Sequence, residues 1–133
     1  MIAKVPFAVV LRLSGFQSSQ SDLEERLKAT LERYSLDKSG YAQLSIESDE
    51  LDWAVVDAFL QRYGLAVKRL LESRDVLSAC LDLGYNFREG LAAASYTLPA
   101  QTAVLAGSHN IDVMFSVYLT AQTMPDHPEP KRS

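Results

Sequence analysis

The clearest pattern in the chain is a strict alternation of apolar and more polar residues near its C-terminal end. Within residues 111–120, every second position is apolar, and this set is Ile111, Val113, Phe115, Val117 and Leu119. Because successive side chains of a β-strand point to opposite faces, the pattern predicts a strand with one apolar face. We expect helices to bury that face, and we expect Asp112, Ser116 and Thr120 to be more exposed.

Similar alternation occurs in other parts of the chain. It predicts strands at residues 7–14 and 41–48, with small and polar residues between the apolar ones. Residues 76–87 and 91–98 are also typical of strands, and the segment that joins them has turn-forming residues and ends on Gly90. This arrangement predicts a β-hairpin.

Helical periodicity separates these strands. A capping box opens a predicted helix at residues 21–35, with leucines every three or four positions. A second helix is predicted at residues 50–63, and Gly64 is a plausible residue to end it. Residues 65–73 fit a short helix and a packed loop equally well. A third, short helix is predicted at residues 99–106 and begins on a proline.

The predicted order of elements is β-α-β-α-β-β-α-β, which favours an α+β fold. We expect a two-layer sandwich in which a mostly antiparallel sheet of about five strands carries its helices on one face. The chain of 133 residues fits one domain, at residues 1–121. Residues 122–133 combine three prolines with charged residues, and this composition predicts a disordered tail.

Charge and composition exclude several partners. The net charge of −4 and the absence of a basic cluster argue against nucleic acid, because phosphate binding needs grouped lysines and arginines. No apolar stretch approaches the roughly 20 residues that span a bilayer, so we expect no membrane partner. Cys80 is the only cysteine and cannot form an internal disulfide, which favours a cytoplasmic location.

The sequence offers little for catalysis, metal binding or cofactor binding. No histidine or cysteine pair has the spacing of a metal site, and no glycine-rich phosphate loop occurs, so we expect no metal and no cofactor. His109 is the one candidate base, with Asp112 as a residue that could orient it, but a turn role explains His109 better. A small enzyme would use Asp82, Glu47 or His109. We expect no activity that depends on His109, and a non-catalytic role is favoured.

Several strand residues are predicted to point away from the helices, on the opposite face of the sheet. The candidate interaction residues among them are Arg12, Tyr41, Gln43, Asp82, Met114, Ser116 and Tyr118. A plain solvated face explains polar residues there, since antiparallel sheets often leave one face open. Aromatic and methionine side chains among small polar ones are also typical of partner surfaces. A small-molecule site is the third interpretation.

The C-terminal third carries a resemblance to a known family. A short predicted helix begins with the segment Tyr96-Thr97-Leu98-Pro99-Ala100. The last predicted strand follows Asn110-Ile111-Asp112 and contains Ser116-Val117-Tyr118 near its end. These motifs resemble the bacterial domain of unknown function 4279 family. The resemblance implies a small bacterial α+β domain without an assigned catalytic residue.

Together these observations favour a non-catalytic bacterial protein-interaction domain, such as an immunity-type inhibitor or a regulatory protein. We expect the partner to be another protein or a second copy of the chain, with a homodimer as the specific expectation. A small-molecule-binding regulatory domain is the first alternative, and a small enzyme with an unrecognised site is the second.

Overall fold

The computed structural model describes residues 4–48, 50–88 and 95–120. In chain order its elements are β1 (Ala8–Ser14), α1 (Gln20–Leu27), β2 (Arg33–Ser35), β3 (Tyr41–Ser45), α2 (Trp53–Glu72), β4 (Ser78–Arg88), α3 (Ala100–Ser108) and β5 (Asp112–Thr120), with a short 3-10 segment at Asp37–Ser39. No helix among these elements combines the length and the hydropathy needed to cross a membrane.

The five strands form one sheet in the order β2-β3-β1-β4-β5. Neighbouring strands are antiparallel except β4 and β5, which run parallel. The elements from β1 to β4 follow the β-α-β-β-α-β order of the split β-α-β arrangement. α3 and β5 then add one parallel crossover at the edge. The predicted α+β fold, with a mostly antiparallel sheet of about five strands, is confirmed.

The predicted hairpin is wrong where its second strand can be compared with the structure. Residues 95–98 form no strand, and β4 already has β1 on one side and β5 on the other. Residues 89–94 and the tail at 122–133 lie outside the described residues.

The helices cover one face of the sheet. Val9, Leu11 and Leu13 of β1 are buried on this face, as are Leu81 and Leu83 of β4. The same core includes side chains from all three helices: Leu23, Leu27, Val56, Leu60, Val67, Leu70 and Ala106. The alternation that predicts strands 7–14 and 41–48 therefore identifies the covered face of the sheet centre correctly.

The first helix is shorter than its leucine periodicity predicts. α1 ends at Leu27 because Lys28 takes a left-handed backbone conformation, with φ of 56°. The carboxylate of Glu24 then accepts a hydrogen bond of 2.9 Å from the backbone N–H of Leu31. Residues 33–35 pair with β3 as strand β2. Leu31 still reaches the core, so its spacing does not distinguish a continued helix from a turn and a strand.

The second helix is longer than predicted and runs through Gly64. α2 extends to Glu72, so the ambiguous residues 65–73 are almost all helical, and Gly64 does not end the helix. Gly64 is buried, and a Cβ atom at this position would overlap Nδ1 of His109. The same ring nitrogen lies 2.9 Å from the carbonyl oxygen of Leu105, which holds the ring in place. Gly64 therefore makes room for His109 where α3 meets α2.

We expect Gly64→Ala to lower the free energy of unfolding by about 1–2 kcal/mol, because overpacking a core contact costs about that much. Alanine is otherwise the better helix former, by roughly 0.5–1 kcal/mol. In a His109→Ala background the same substitution should therefore be neutral or stabilising. Urea unfolding of the four proteins of this double-mutant cycle measures the change of sign. A stabilising Gly64→Ala in the wild-type background would contradict the packing described here.

The burial predicted for the last strand is correct only at its start. Ile111 is buried and Val113 half-buried, whereas Phe115, Val117 and Leu119 are exposed, Leu119 to 70%. The register pairs these three residues with the part of β4 from Leu83 to Phe87, at the edge of the sheet. The helices pack over the sheet centre and leave this half of β5 uncovered. Asp112 is exposed, as expected. Ser116 is half-buried and less exposed than Phe115 and Val117, so the prediction for Ser116 is wrong, and the side chain of Thr120 lies outside the described residues.

Candidate functional site

Alternate residues of β1, β3, β4 and β5 form the face of the sheet opposite the helices, called here the open face. The register places Arg12 between Gln43 of β3 and Cys80 of β4, and it places Asp82 beside Met114 of β5. The structure thus brings together, on this one face, all the residues predicted for it: Arg12, Tyr41, Gln43, Asp82, Met114, Ser116 and Tyr118.

An ion pair between Arg12 and Asp82 lies near the centre of the open face. Nε and Nη2 of Arg12 both donate to Oδ2 of Asp82, at 3.1 and 2.8 Å. The hydroxyl of Ser116 donates to the other carboxylate oxygen, Oδ1, at 2.6 Å. Asp82 is only 4% exposed, so these hydrogen bonds replace the water that a carboxylate otherwise holds. The ion pair joins β1 to β4, and the Ser116 hydrogen bond adds β5.

Further polar side chains extend this network to the opposite edge of the sheet. Nη1 of Arg12 donates to the Tyr41 hydroxyl and to Oε1 of Gln43, and the Tyr41 hydroxyl donates to the same Gln43 oxygen at 2.6 Å. Nε2 of Gln43 and the Ser45 hydroxyl then donate to the carboxylate of Glu32. The hydrogen bonds form a continuous path from Glu32 to Ser116, across the whole width of the sheet.

The surroundings of these groups change three pKa values. Hydrogen bonds lower the pKa of Glu32, the largest contribution coming from Ser45 and a smaller one from Gln43, and they outweigh a desolvation that would raise it. Burial lowers the pKa of the Arg12 guanidinium, but hydrogen bonds with Asp82 and Tyr41 outweigh burial and raise it overall. Burial, with the charges of Asp82 and Asp112, raises the pKa of the Cys80 thiol. A thiol in these surroundings is a poor nucleophile, because the thiolate is the reactive form.

A small cavity opens beside the ion pair. The rings of Phe7 and Tyr118 meet edge to face with their centroids 5.8 Å apart. The cavity next to them has a volume of about 290 Å³; its walls are mainly apolar, and Arg12 and Asp82 form its polar end. Its volume lies at the lower limit for small-ligand sites, which are roughly 300–1,000 Å³.

A larger cavity of about 600 Å³ lies between loops at the other end of β1, where Gly15 and Leu77 contribute to its lining. Its charged residues are Arg74 and Asp75, and both are exposed. Asp75 is already paired with Arg26 at 2.9 Å. No buried polar side chain lines this cavity within the described residues.

The residues considered for catalysis do not converge. Asp82 lies on the open face, and both of its oxygens already accept hydrogen bonds. His109 packs against α2 in the helix layer, as a residue of the turn after α3. Glu47 is exposed and lines a separate cavity with Arg62 and Tyr63. Within the described residues no group of His, Cys, Asp and Glu side chains could hold a metal ion.

The sequence analysis does not predict two of the residues that lie on this face. Glu32 is predicted within the first helix, yet it precedes β2 and accepts hydrogen bonds from β3. Phe7 is predicted on the covered face of the first strand, but it lies just before β1 and is exposed beside Tyr118. Its backbone N–H donates to the Gly84 carbonyl at 2.8 Å. No local signal in the sequence marks either position.

Exposed apolar side chains gather at the edge next to this network. We call them the β5 apolar surface: Phe7, Met114, Phe115, Val117, Tyr118 and Leu119. Met114 and Tyr118 extend from the open face, whereas Phe115, Val117 and Leu119 extend from the other face of the same strand. Large apolar groups that are exposed side by side are typical of contact sites.

Comparison of this chain with models of protein families, with curated proteins and with solved structures finds no match. The resemblance to the domain of unknown function 4279 family therefore stays a prediction.

Proposed function

We propose that this protein is a non-catalytic protein-interaction domain that binds its partner through the β5 apolar surface. The observation that carries the proposal is the exposure of large apolar side chains on both faces of one edge strand. Complete burial of a fully exposed side chain of this size contributes roughly 1.5–3 kcal/mol. These side chains are 41–70% exposed, so a partner that covers several of them gains a corresponding fraction from each. An immunity-type inhibitor and a regulatory protein are the two versions of this function that we propose, acting in the cytoplasm of a bacterium.

The open face supports an interaction role more than a catalytic one. The Arg12–Asp82 ion pair and its neighbours are engaged with one another, and they hold four strands in a fixed arrangement. A rigid surface loses little conformational entropy on binding, which favours affinity. The polar network therefore provides a preorganised platform beside the apolar residues.

The test compares two substitutions of exposed apolar residues. Tyr118→Arg changes the β5 apolar surface, and Val104→Arg changes a residue of α3 that is 68% exposed and outside that surface. We expect Tyr118→Arg to abolish binding to the partner, whether a second copy or another protein, because it places a charge in an apolar contact. Val104→Arg should bind like the wild type. Thermal unfolding should be nearly the same for all three proteins, since neither residue is buried.

Light scattering of the purified proteins measures self-association. Binding of purified candidate partner proteins to each immobilised variant measures association with another protein. The proposal fails if the wild type neither associates with itself nor holds any partner more strongly than Tyr118→Arg does.

The cavity beside Phe7 and Tyr118 favours a second candidate, a small-molecule-binding regulatory domain. The cavity combines apolar walls with one ion pair, which suits a small and mostly apolar ligand. Such a ligand would raise the melting temperature of the isolated protein. Binding to a protein partner with no effect of small ligands on the melting temperature favours the first candidate.

A further inference from the structure

The two edges of the sheet differ in how easily another strand can pair with them. β2, at one edge, has only three residues, and its Arg33 is exposed. Short length and charge both hinder pairing at an edge. β5, at the other edge, has nine residues, and only its first residue, Asp112, is charged. Within the described residues β5 pairs with β4 alone, and no described strand lies on its outer side.

The β5 apolar surface also includes side chains on both faces of the strand. A partner that docks on the open face would cover Met114 and Tyr118 but leave Phe115 and Val117 exposed. A partner strand that pairs along the edge places side chains next to those of β5 on both faces of the sheet, because its own side chains also alternate between the two faces. The distribution of exposed apolar residues therefore favours pairing along the edge over docking on one face.

We infer that the partner at this edge is a second copy of this chain, with the two β5 strands paired antiparallel about a two-fold axis; this inference rests on the proposed function. Two-fold symmetry about an axis perpendicular to the sheet requires antiparallel strands, and it keeps the helices of both copies on one side. Pairing centred on Ser116, the middle residue of β5, places Met114 opposite Tyr118. It also places Phe115 opposite Val117, so apolar residues meet on both faces.

Charge is compatible with this arrangement. Each copy contributes Asp112 at an opposite end of the paired strands, about 27 Å apart at 3.4 Å per residue. This separation exceeds the Debye length of about 8 Å at physiological ionic strength, so the two carboxylates hardly repel each other. The result is a continuous sheet of two copies, joined by backbone hydrogen bonds that each edge otherwise leaves to water.

The experiment exchanges the apolar pair on the open face for charges. One variant carries Met114→Lys with Tyr118→Lys, and the other carries Met114→Glu with Tyr118→Glu. In a homodimer of either variant, each position 114 faces a like charge at position 118 of the other copy. We expect the dissociation constant to rise at least about a hundredfold, since like charges placed in contact cost several kcal/mol. An equimolar mixture of the two variants should form a heterodimer, because each pair then has opposite charges.

Analytical ultracentrifugation over a concentration series measures each variant alone, the mixture and the wild type. The matched control is Leu65→Lys with Val104→Lys, which adds the same charge at two exposed apolar residues of α2 and α3. This control should dimerise like the wild type. All variants should keep the wild-type circular dichroism spectrum, because the four positions are exposed.

The outcomes separate this inference from the proposed function. A dimer that tolerates both charged variants, or variants that fail to recombine in the mixture, overturns pairing through β5. A monomeric wild type that binds another protein in a Tyr118-dependent way overturns self-pairing and leaves the proposed function standing. A monomeric wild type without any such partner overturns both.

Discussion

We expect Asp82→Ala to lower the free energy of unfolding by about 2–4 kcal/mol. The substitution removes a carboxylate that is 4% exposed and accepts three hydrogen bonds, and it leaves the Arg12 guanidinium without its charged partner. Breaking a buried ion pair from one side costs roughly 3–5 kcal/mol. The Arg12 side chain is 31% exposed, so water can reach it and the loss should fall toward the lower end.

Urea unfolding followed by circular dichroism measures this effect, and Glu32→Ala is the control. Glu32 belongs to the same network and accepts two side-chain hydrogen bonds, but it is exposed. Its loss should cost no more than about 0.5–1 kcal/mol, because water can replace the hydrogen bonds of an exposed group. If Asp82→Ala and Glu32→Ala lower the free energy of unfolding equally, burial does not determine how much each carboxylate stabilises the fold.

A double variant tests the physical explanation. Replacing both partners, as Arg12→Met with Asp82→Leu, removes the two charges and fills similar volume with apolar atoms. Such replacements of buried ion pairs are often neutral or stabilising. We expect this double variant to be more stable than Asp82→Ala. A double variant as unstable as Asp82→Ala would indicate that the contacts of Ser116 and Gln43 matter more than the ion pair.

The second large effect is expected at Gly40, where Ala should lower the free energy of unfolding by about 3 kcal/mol. Gly40 has φ of 90° and ψ of 135°, a region that residues with a side chain rarely adopt. A Cβ atom there would also lie 2.5 Å from the backbone carbonyl oxygen of Phe16, which cannot move without shifting the chain. Backbone strain and this overlap each contribute roughly 1–3 kcal/mol.

Gly107→Ala is the matched control for this prediction. Gly107 lies in α3, and a Cβ atom there meets nothing within 4 Å. This substitution should raise stability by up to about 1 kcal/mol, because alanine favours helices over glycine. Thermal and urea unfolding of the two variants should therefore shift in opposite directions. A Gly40→Ala protein that loses less than about 1 kcal/mol would show that the contact with Phe16 is not maintained.

The position of Gly40 explains why a large effect is expected. Its carbonyl accepts a hydrogen bond from the N–H of Gly15, and the neighbouring Ser39 carbonyl accepts one from Phe16 at 2.9 Å. These bonds fix the end of β1 to the start of β3. Displacing them would disturb the register that brings Arg12 beside Gln43.

The sequence predicts the α+β class correctly because the two periodicities of strands and helices are local properties of the chain. The alternation in β1 and β3 shows which side chains face the core, and it places Arg12, Tyr41 and Gln43 together on the other face. Extending the same alternation to β4 and β5 adds Asp82 and Tyr118. A period of two is enough to assign a residue to a face once the strands share one sheet.

The failed predictions concern features that depend on partners distant in sequence. The leucine spacing continues past Leu27, but α1 ends there at the left-handed Lys28, and residues 33–35 pair with β3 instead. Glycine is common just after the end of a helix, but Gly64 lies inside α2. Its close contact with His109, 45 positions away, explains why a glycine occurs there. Residues 95–98 form no hairpin strand, β4 lies between β1 and β5, and no local pattern shows which strand occupies which side.

The sequence by itself therefore determined the fold class and the seven strand residues predicted for the open face, because both follow from short-range periodicity. Only the tertiary structure decided that Arg12 and Asp82, 70 positions apart, form an ion pair. It also decided that β5 lies at the edge, where its apolar residues stay exposed. The physical reason is that burial depends on what packs over a strand, and alternation fixes only the direction in which each side chain points.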